Sequence, residues 1–171
     1  EAGRTLASGP LAEALVATRV LAIVGGDAQS ALLERAIGGE AVVTLAFHDV
    51  AKMPVQWVAG GAVAEAVIAR DGDKIVLVTL PAGEKRGEEN LASTPIAELK
   101  LNGANRVVLS ESAEGRKVFA QALEEWKLLM SVALSRLSRE AVRLAAAYAC
   151  EREAFGQPIG AYQAISHPLG D

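Results

Sequence analysis

Across residues 114–153, Leu123, Trp126, Met130, Leu134, Leu137, Ala141, Leu144 and Tyr148 stand three or four apart. That is the repeat of one face of an α-helix. The other face carries Glu124, Lys127, Ser131, Arg136, Arg139, Glu140 and Arg143, and Arg136 and Glu140 are spaced to pair. A helix of this length needs other helices against its apolar stripe. The sequence supplies the start of only one more, so further partners are expected from elsewhere. The helix is stopped by Phe155-Gly156-Gln157-Pro158-Ile159-Gly160, which brings two glycines and a proline. Beyond it Tyr162, Ile165, Ser166 and Leu169 return to helical spacing. A helix-turn-helix corner is therefore expected over 145–171, with a second helix from near Ala161.

Upstream, residues 1–39 read as two helices. Leu11, Leu15, Thr18 and Ala22 mark the face of the first, and a break at Gly25-Gly26 leaves Asp27 as N-cap of a second over 28–37. From Glu40 the residues become β-prone, with runs at 42–47, 63–69, 74–79, 96–101 and 106–109. Asp71-Gly72 between two apolar runs is a hairpin signal, and the polar stretch 83–90 is a solvated loop. The expected class is multidomain α+β: a short helical segment, a small antiparallel β domain, then a long helix opening a helical bundle.

Apolar residues make up 51% of the 171, enough for a real core. A net charge of −4, no dense Lys/Arg run and 4% aromatic residues argue against nucleic acid, whose phosphates need clustered cations. The most apolar helical stretch, 11–26, is interrupted by Glu13 and Arg19, so no membrane span is expected, and no signal-peptide pattern opens the sequence. One cysteine, Cys150, allows no internal disulfide, which makes a cytoplasmic setting the default. His48 and His167 lack clustered ligands, so no metal is expected.

The corner holds a more specific signal. Tyr148, Ala149, Arg152, Phe155, Gly156, Pro158, Ile159 and Gln163 fit the pattern Tyr-Ala-x-x-Arg-x-x-Phe-Gly-x-Pro-Ile followed by Gln. In this the chain resembles the acyl-CoA dehydrogenase family, at the end of the first long helix of its C-terminal bundle. The resemblance implies three parts: 1–39 as the end of an N-terminal helical domain, 40–112 as a reduced middle β domain, and 113–171 as the start of the bundle. It also implies FAD, an acyl-CoA substrate dehydrogenated to its 2,3-enoyl form, electron-transfer flavoprotein as acceptor, and a homo- or hetero-oligomer with the flavin site at the subunit interface. By the same resemblance Arg152 reaches the FAD pyrophosphate of a neighbouring subunit, Phe155 packs beside the cofactor and Gln163 hydrogen-bonds to it. Without the resemblance, Arg152 is a cation favoured at a helix C-terminus and Phe155 plugs the bundle end.

The catalytic base is unassigned. Most members of the family place it beyond the last residue here, and a minority place it at the position of Trp126. Glu124 and Glu125 are expected as solvated helix surface, and Lys127 as a surface cation. The family's Thr/Ser-Glu-Pro and Gly-Ser-Asp segment, which holds the flavin ring, has no counterpart: Leu45-Ala46-Phe47-His48-Asp49-Val50 leads through Trp57 to Ala64-Glu65 without it. This departure opens an alternative, a non-catalytic subunit that completes the flavin site of a partner chain.

Overall fold

A computed structural model describes residues 9–81, 87–103 and 105–170. They fall into two compact units, Ser8–Leu129 and the segment from Met130 to Asp171. Residues 1–8, and 83–86 of the expected surface loop, lie outside the described residues.

The first unit is built on a four-stranded sheet. Its strands are β1 (Val43–Leu45), β3 (Ala66–Asp71), β4 (Lys74–Thr79) and β6 (Arg106–Ser110), in the spatial order β1-β3-β4-β6. β3, β4 and β6 run antiparallel, and β1 joins β3 in parallel. β3 turns into β4 through Gly72-Asp73, between the paired Asp71 and Lys74, with Gly72 at φ +60°. Glycine takes that conformation at no steric cost, which is the basis of the Asp-Gly signal.

Side chains alternate across this sheet. Ala66, Ile68, Ile75 and Leu77 face one core, with Val43, Leu45, helix α1 (Leu11–Val24) and Phe119 and Ala122 of α3 (Ala113–Glu151). Val67, Ala69, Val76 and Val78 face a second core. This core is closed by a separate antiparallel pair, β2 (Val55–Val58) and β5 (Ala97–Lys100), through Val58, Ala97 and Leu99. Both faces of the sheet are covered, so β3 and β4 read as unbroken apolar runs and not as alternating ones. β2 has no counterpart among the expected strands, because its four residues include a buried Gln56 beside Pro54. The Gln56 side chain accepts from the His48 amide at 3.0 Å and donates to the carbonyls of His48 (3.1 Å) and Met53 (3.0 Å), which makes burial of the amide tolerable.

Two N-terminal readings are corrected. The buried face of α1 is Glu13, Val16, Ala17, Val20 and Leu21, whereas Leu11 and Leu15 of the expected stripe are 61% and 62% exposed. The helix is apolar on most sides, so leucine spacing alone did not select a face. Small and β-branched side chains meet the sheet instead. Asp27 opens a 3-10 turn, Asp27–Gln29, and its carbonyl accepts a bond from Ser30 Oγ at 2.7 Å; α2 follows as Ser30–Ile37, without a side-chain cap. α3 has the cap that α2 lacks: Ser112 Oγ accepts from the Gly115 amide at 3.0 Å.

In the second unit α3 continues to Glu151, followed by a two-stranded hairpin of β7 (Glu153–Ala154) and β8 (Gln157–Pro158), a 3-10 turn (Ile159–Ala161) and α4 (Gln163–Gly170). The corner expected at 145–171 therefore contains a hairpin where a plain turn was expected. Val132, Leu134, Val142, Leu144 and Tyr148 of α3 are exposed here, while Ala149 is buried.

Candidate functional site

At the end of α3 the Arg152 amide donates to the Tyr148 carbonyl at 2.9 Å, and the Arg152 carbonyl accepts from the Ile159 amide at 2.8 Å. The second bond folds the chain back on itself. Gly160 comes so close to the helix that a Cβ there would lie 3.1 Å from the Ala149 carbonyl oxygen, which explains a glycine opposite an alanine. Between these anchors the hairpin loop is Phe155-Gly156, with φ +53° and +84°. Two successive positive φ values are those of a type I′ turn, normally Asn-Gly or Gly-Gly. A bulky aromatic residue in that conformation is strained. The residue is 96% exposed, and its ring meets that of Tyr162 edge-on at 6.4 Å between centroids. Tyr162 is fixed in turn, its hydroxyl donating to the Ala154 carbonyl at 2.9 Å.

Arg152, Phe155 and Gln163 thus lie on one short structured segment, all exposed. Among the described residues the Arg152 guanidinium has no hydrogen bond or ion pair. Arg143, by contrast, binds Glu140 at 2.8 Å, and that hydrogen bond and charge hold Arg143 above its usual pKa. An unpartnered planar cation, a presented aromatic ring and an exposed amide suit a ligand carrying phosphates and a flat ring system. The residues present therefore fit a flavin dinucleotide.

The first unit has its own cluster, where α1 meets the N-terminal part of α3. Trp126 is packed inward: its ring lies 4.2 Å from that of Phe47, and its Nε1 donates to Glu13 Oε1 at 2.8 Å. Glu13 is 7% exposed. Next to this cluster, Leu15, Val16, Leu128 and Leu129 line an apolar cleft of about 380 Å³, together with Arg19 and Glu125, which form an ion pair. Glu125 is thus engaged, and Glu124 is exposed and binds Lys127 at 2.7 Å. Glu13 shows in the sequence only as a break in a hydrophobic run. The only available signal was a carboxylate among residues that helical spacing places on the buried side.

Residues 113–171 match the family model described as acyl-CoA dehydrogenase, C-terminal domain. The chain is 30% identical over 82 residues to Probable acyl-CoA dehydrogenase YngJ of Bacillus subtilis, an alignment covering 48% of this chain and 21% of that protein. Among solved structures it is similar to the ChsE4-ChsE5 complex from Mycobacterium tuberculosis, with TM-score 0.67 and 24% identity over 99% of this chain and 53% of that one. It is also similar to a glutaryl-CoA dehydrogenase from Mycobacterium smegmatis in complex with FADH2, with TM-score 0.66 and 18% identity over 90% of this chain and 48% of that one. The chain spans about half the length of these structures and about a fifth of the curated relative. No described helix is long and apolar enough to cross a membrane. Residues 113–171 match the acyl-CoA dehydrogenase C-terminal domain family, and the described residues are similar in fold to a part of an acyl-CoA dehydrogenase.

Proposed function

We propose that this chain works in an FAD-dependent acyl-CoA dehydrogenase, in which an acyl-CoA thioester is dehydrogenated between its α and β carbons. The observation that carries the reading is the segment from Arg152 to Gln163. Its hairpin holds Phe155 out at 96% exposure on strained backbone, beside a guanidinium without a partner. Neither arrangement is stabilised within the unit, and both are accounted for by a cofactor held at a subunit boundary. Arg152 takes the pyrophosphate, Phe155 packs beside the cofactor, and Gln163 hydrogen-bonds to it. The bound flavin would supply the two-electron acceptor, and electron-transfer flavoprotein would receive the electrons. The apolar cleft beside Leu15 and Leu128 is suited to an aliphatic acyl chain. We place the module boundaries at 39/40 and 112/113.

A second reading is a non-catalytic subunit lending Arg152, Phe155 and Gln163 to a partner's flavin. It is favoured by Phe47-His48-Asp49 standing where the flavin-ring segment is expected. The two readings share a first test, the absorbance of the purified protein between the near-ultraviolet and the blue after incubation with FAD and dialysis. Flavin retained by this chain alone supports the first reading, and flavin retained only with a partner chain supports the second. No retention in either state removes both.

A further inference from the structure

We propose that Asn102 is a self-modification site, which loses its side-chain amide to attack by the Gly103 backbone and becomes an aspartyl or isoaspartyl residue. The proposal is independent of the acyl-CoA reading. An asparagine or aspartate precedes a glycine at two places, Asp71-Gly72 and Asn102-Gly103. The fold treats the two pairs differently. At the first, the Asp71 carboxylate is held by Arg106 at 2.6 Å, the Gly72 amide donates to Asp49 Oδ1 at 2.9 Å, and Gly72 sits at φ +60° in the hairpin turn. Nucleophile and electrophile are both engaged.

The second pair is open. Asn102 and Gly103 are exposed and neither takes a positive φ, so no tight primed turn fixes them. Among the described residues the Asn102 side chain has no hydrogen-bond partner and the Gly103 amide donates to none. A Cβ at Gly103 would meet nothing within 4 Å, so the space beside its backbone is clear. The strands on either side are secured elsewhere: the Leu101 amide donates to the Pro54 carbonyl at 2.8 Å, and the Asn105 carbonyl accepts from the Thr79 amide at 3.0 Å. The other two asparagines lack this combination. Asn90 Nδ2 donates to the Glu88 and Thr94 carbonyls at 3.0 and 2.9 Å, and its Oδ1 accepts from the Thr94 amide and hydroxyl, each at 3.1 Å. Leu91 follows Asn90, and Arg106, the first residue of β6, follows Asn105. In both, the side chain of the next residue crowds the attacking nitrogen, which glycine leaves bare.

The step needs only water. The Gly103 nitrogen gives up its proton and bonds to Asn102 Cγ, closing a cyclic imide as the Cγ–Nδ2 bond breaks and ammonia leaves with a returned proton. Both reacting atoms belong to one dipeptide, so the closure is unimolecular. Water then opens the imide at either carbonyl. One opening restores the main chain with an aspartate, and the other routes the main chain through Cβ and Cγ of residue 102. Either product adds one negative charge and takes the formal net charge from −4 to −5.

The test incubates the full folded chain at mildly alkaline pH in water labelled with heavy oxygen, and locates label and isoaspartate by peptide mapping with mass spectrometry. Conversion is expected at 102 and not at 71, 90 or 105, at a rate within about tenfold of the same site in the urea-unfolded chain. Isoaspartate at 71 should appear only in urea. Gly103→Val should slow conversion at 102 about tenfold or more, with Gly103→Ala between it and wild type; melting curves check that both variants fold. Asn102→Gln, which would have to close a larger ring, should carry no label there. An Asn102 that keeps its amide in the folded chain overturns the proposal, whatever happens in urea. Label spread equally over 90, 102 and 105, or a folded Gly103→Val that converts as fast as wild type, overturns it as well.

Discussion

Asp49 and Gly72 join the loop after β1 to the β3-β4 hairpin: Asp49 Oδ1 accepts from the Gly72 amide at 2.9 Å and also from the Ala51 amide at 3.0 Å. Partial burial pushes the Asp49 pKa up, but these two amide bonds and the Arg70 and Lys52 charges outweigh it, so the net shift is downward from 3.8. A lowered folded-state pKa means that the contribution is complete above the unfolded value and is lost as pH falls through the folded one. Asp49→Ala is expected to lower stability at pH 7 by about 1–3 kcal/mol. Asp49→Asn is expected to flatten the acid limb, which lies below the usual 3.8. Urea titrations of the three proteins at neutral pH and through the acid range check both effects.

Trp126→Ala is expected to cost about 3 kcal/mol, the low end for removing a buried indole, since the ring is only half buried. Trp126→Phe keeps a ring against Phe47 and loses only the bond to Glu13, so about 1–2 kcal/mol should go. Chemical denaturation distinguishes the two, and equal losses would mean that the aromatic stack contributes nothing.

Phe155 should show a conflict between stability and binding. Phe155→Asn places a residue that tolerates positive φ in the hairpin loop, and should stabilise the chain by about 1 kcal/mol. It also removes the ring proposed to pack beside the cofactor. A raised melting temperature together with weaker flavin retention is the expected pair of results, and a raised melting temperature with retention unchanged would leave the ring without a role.

Arg152→Ala should weaken flavin retention in the assembled protein by roughly 1.5–3 kcal/mol, the range for a charged hydrogen bond. Arg152→Lys should recover only part, because a point charge lacks the planar fork. Arg139→Ala, on the same helix, is the control and should change nothing. Flavin content after dialysis, with the oligomer shown intact, is the measurement.

Val132, Leu134, Leu144 and Tyr148 lie exposed along the second part of α3, with Leu134 and Leu144 each at 55%. An apolar surface of this kind favours association. Sedimentation at micromolar concentration should show an oligomer, and Leu134→Glu with Leu144→Glu should shift it toward monomer. A wild type that sediments as a clean monomer contradicts the expectation.

Local chemistry made β4 and the β3-β4 hairpin legible, since 74–79 is a buried apolar run closed by a glycine turn. The long helix was legible for the same reason, with its end placed within two residues. β2 was hidden because its identity comes from pairing with β5, across residues 55–100, and not from its own composition. The hairpin at Phe155 was hidden because a phenylalanine is not a turn signal at positive φ. Glu13 was least legible of all, since its donor lies 113 residues along the chain.

That separation also sets an order of events during synthesis. At about 5–20 residues per second the ribosome needs roughly 6–20 s to pass from Glu13 to Trp126. The strands that cover α1 are made first, so the sheet and its first helix can assemble while the carboxylate of Glu13 is still hydrated. Arrival of α3 supplies the indole and completes the enclosure of Glu13, which is 7% exposed in the folded unit. The closing step of this unit's folding is therefore the one that creates its enclosed carboxylate, and a chaperone or protease that meets the nascent chain earlier meets a protein whose cluster of Glu13, Phe47 and Trp126 does not yet exist.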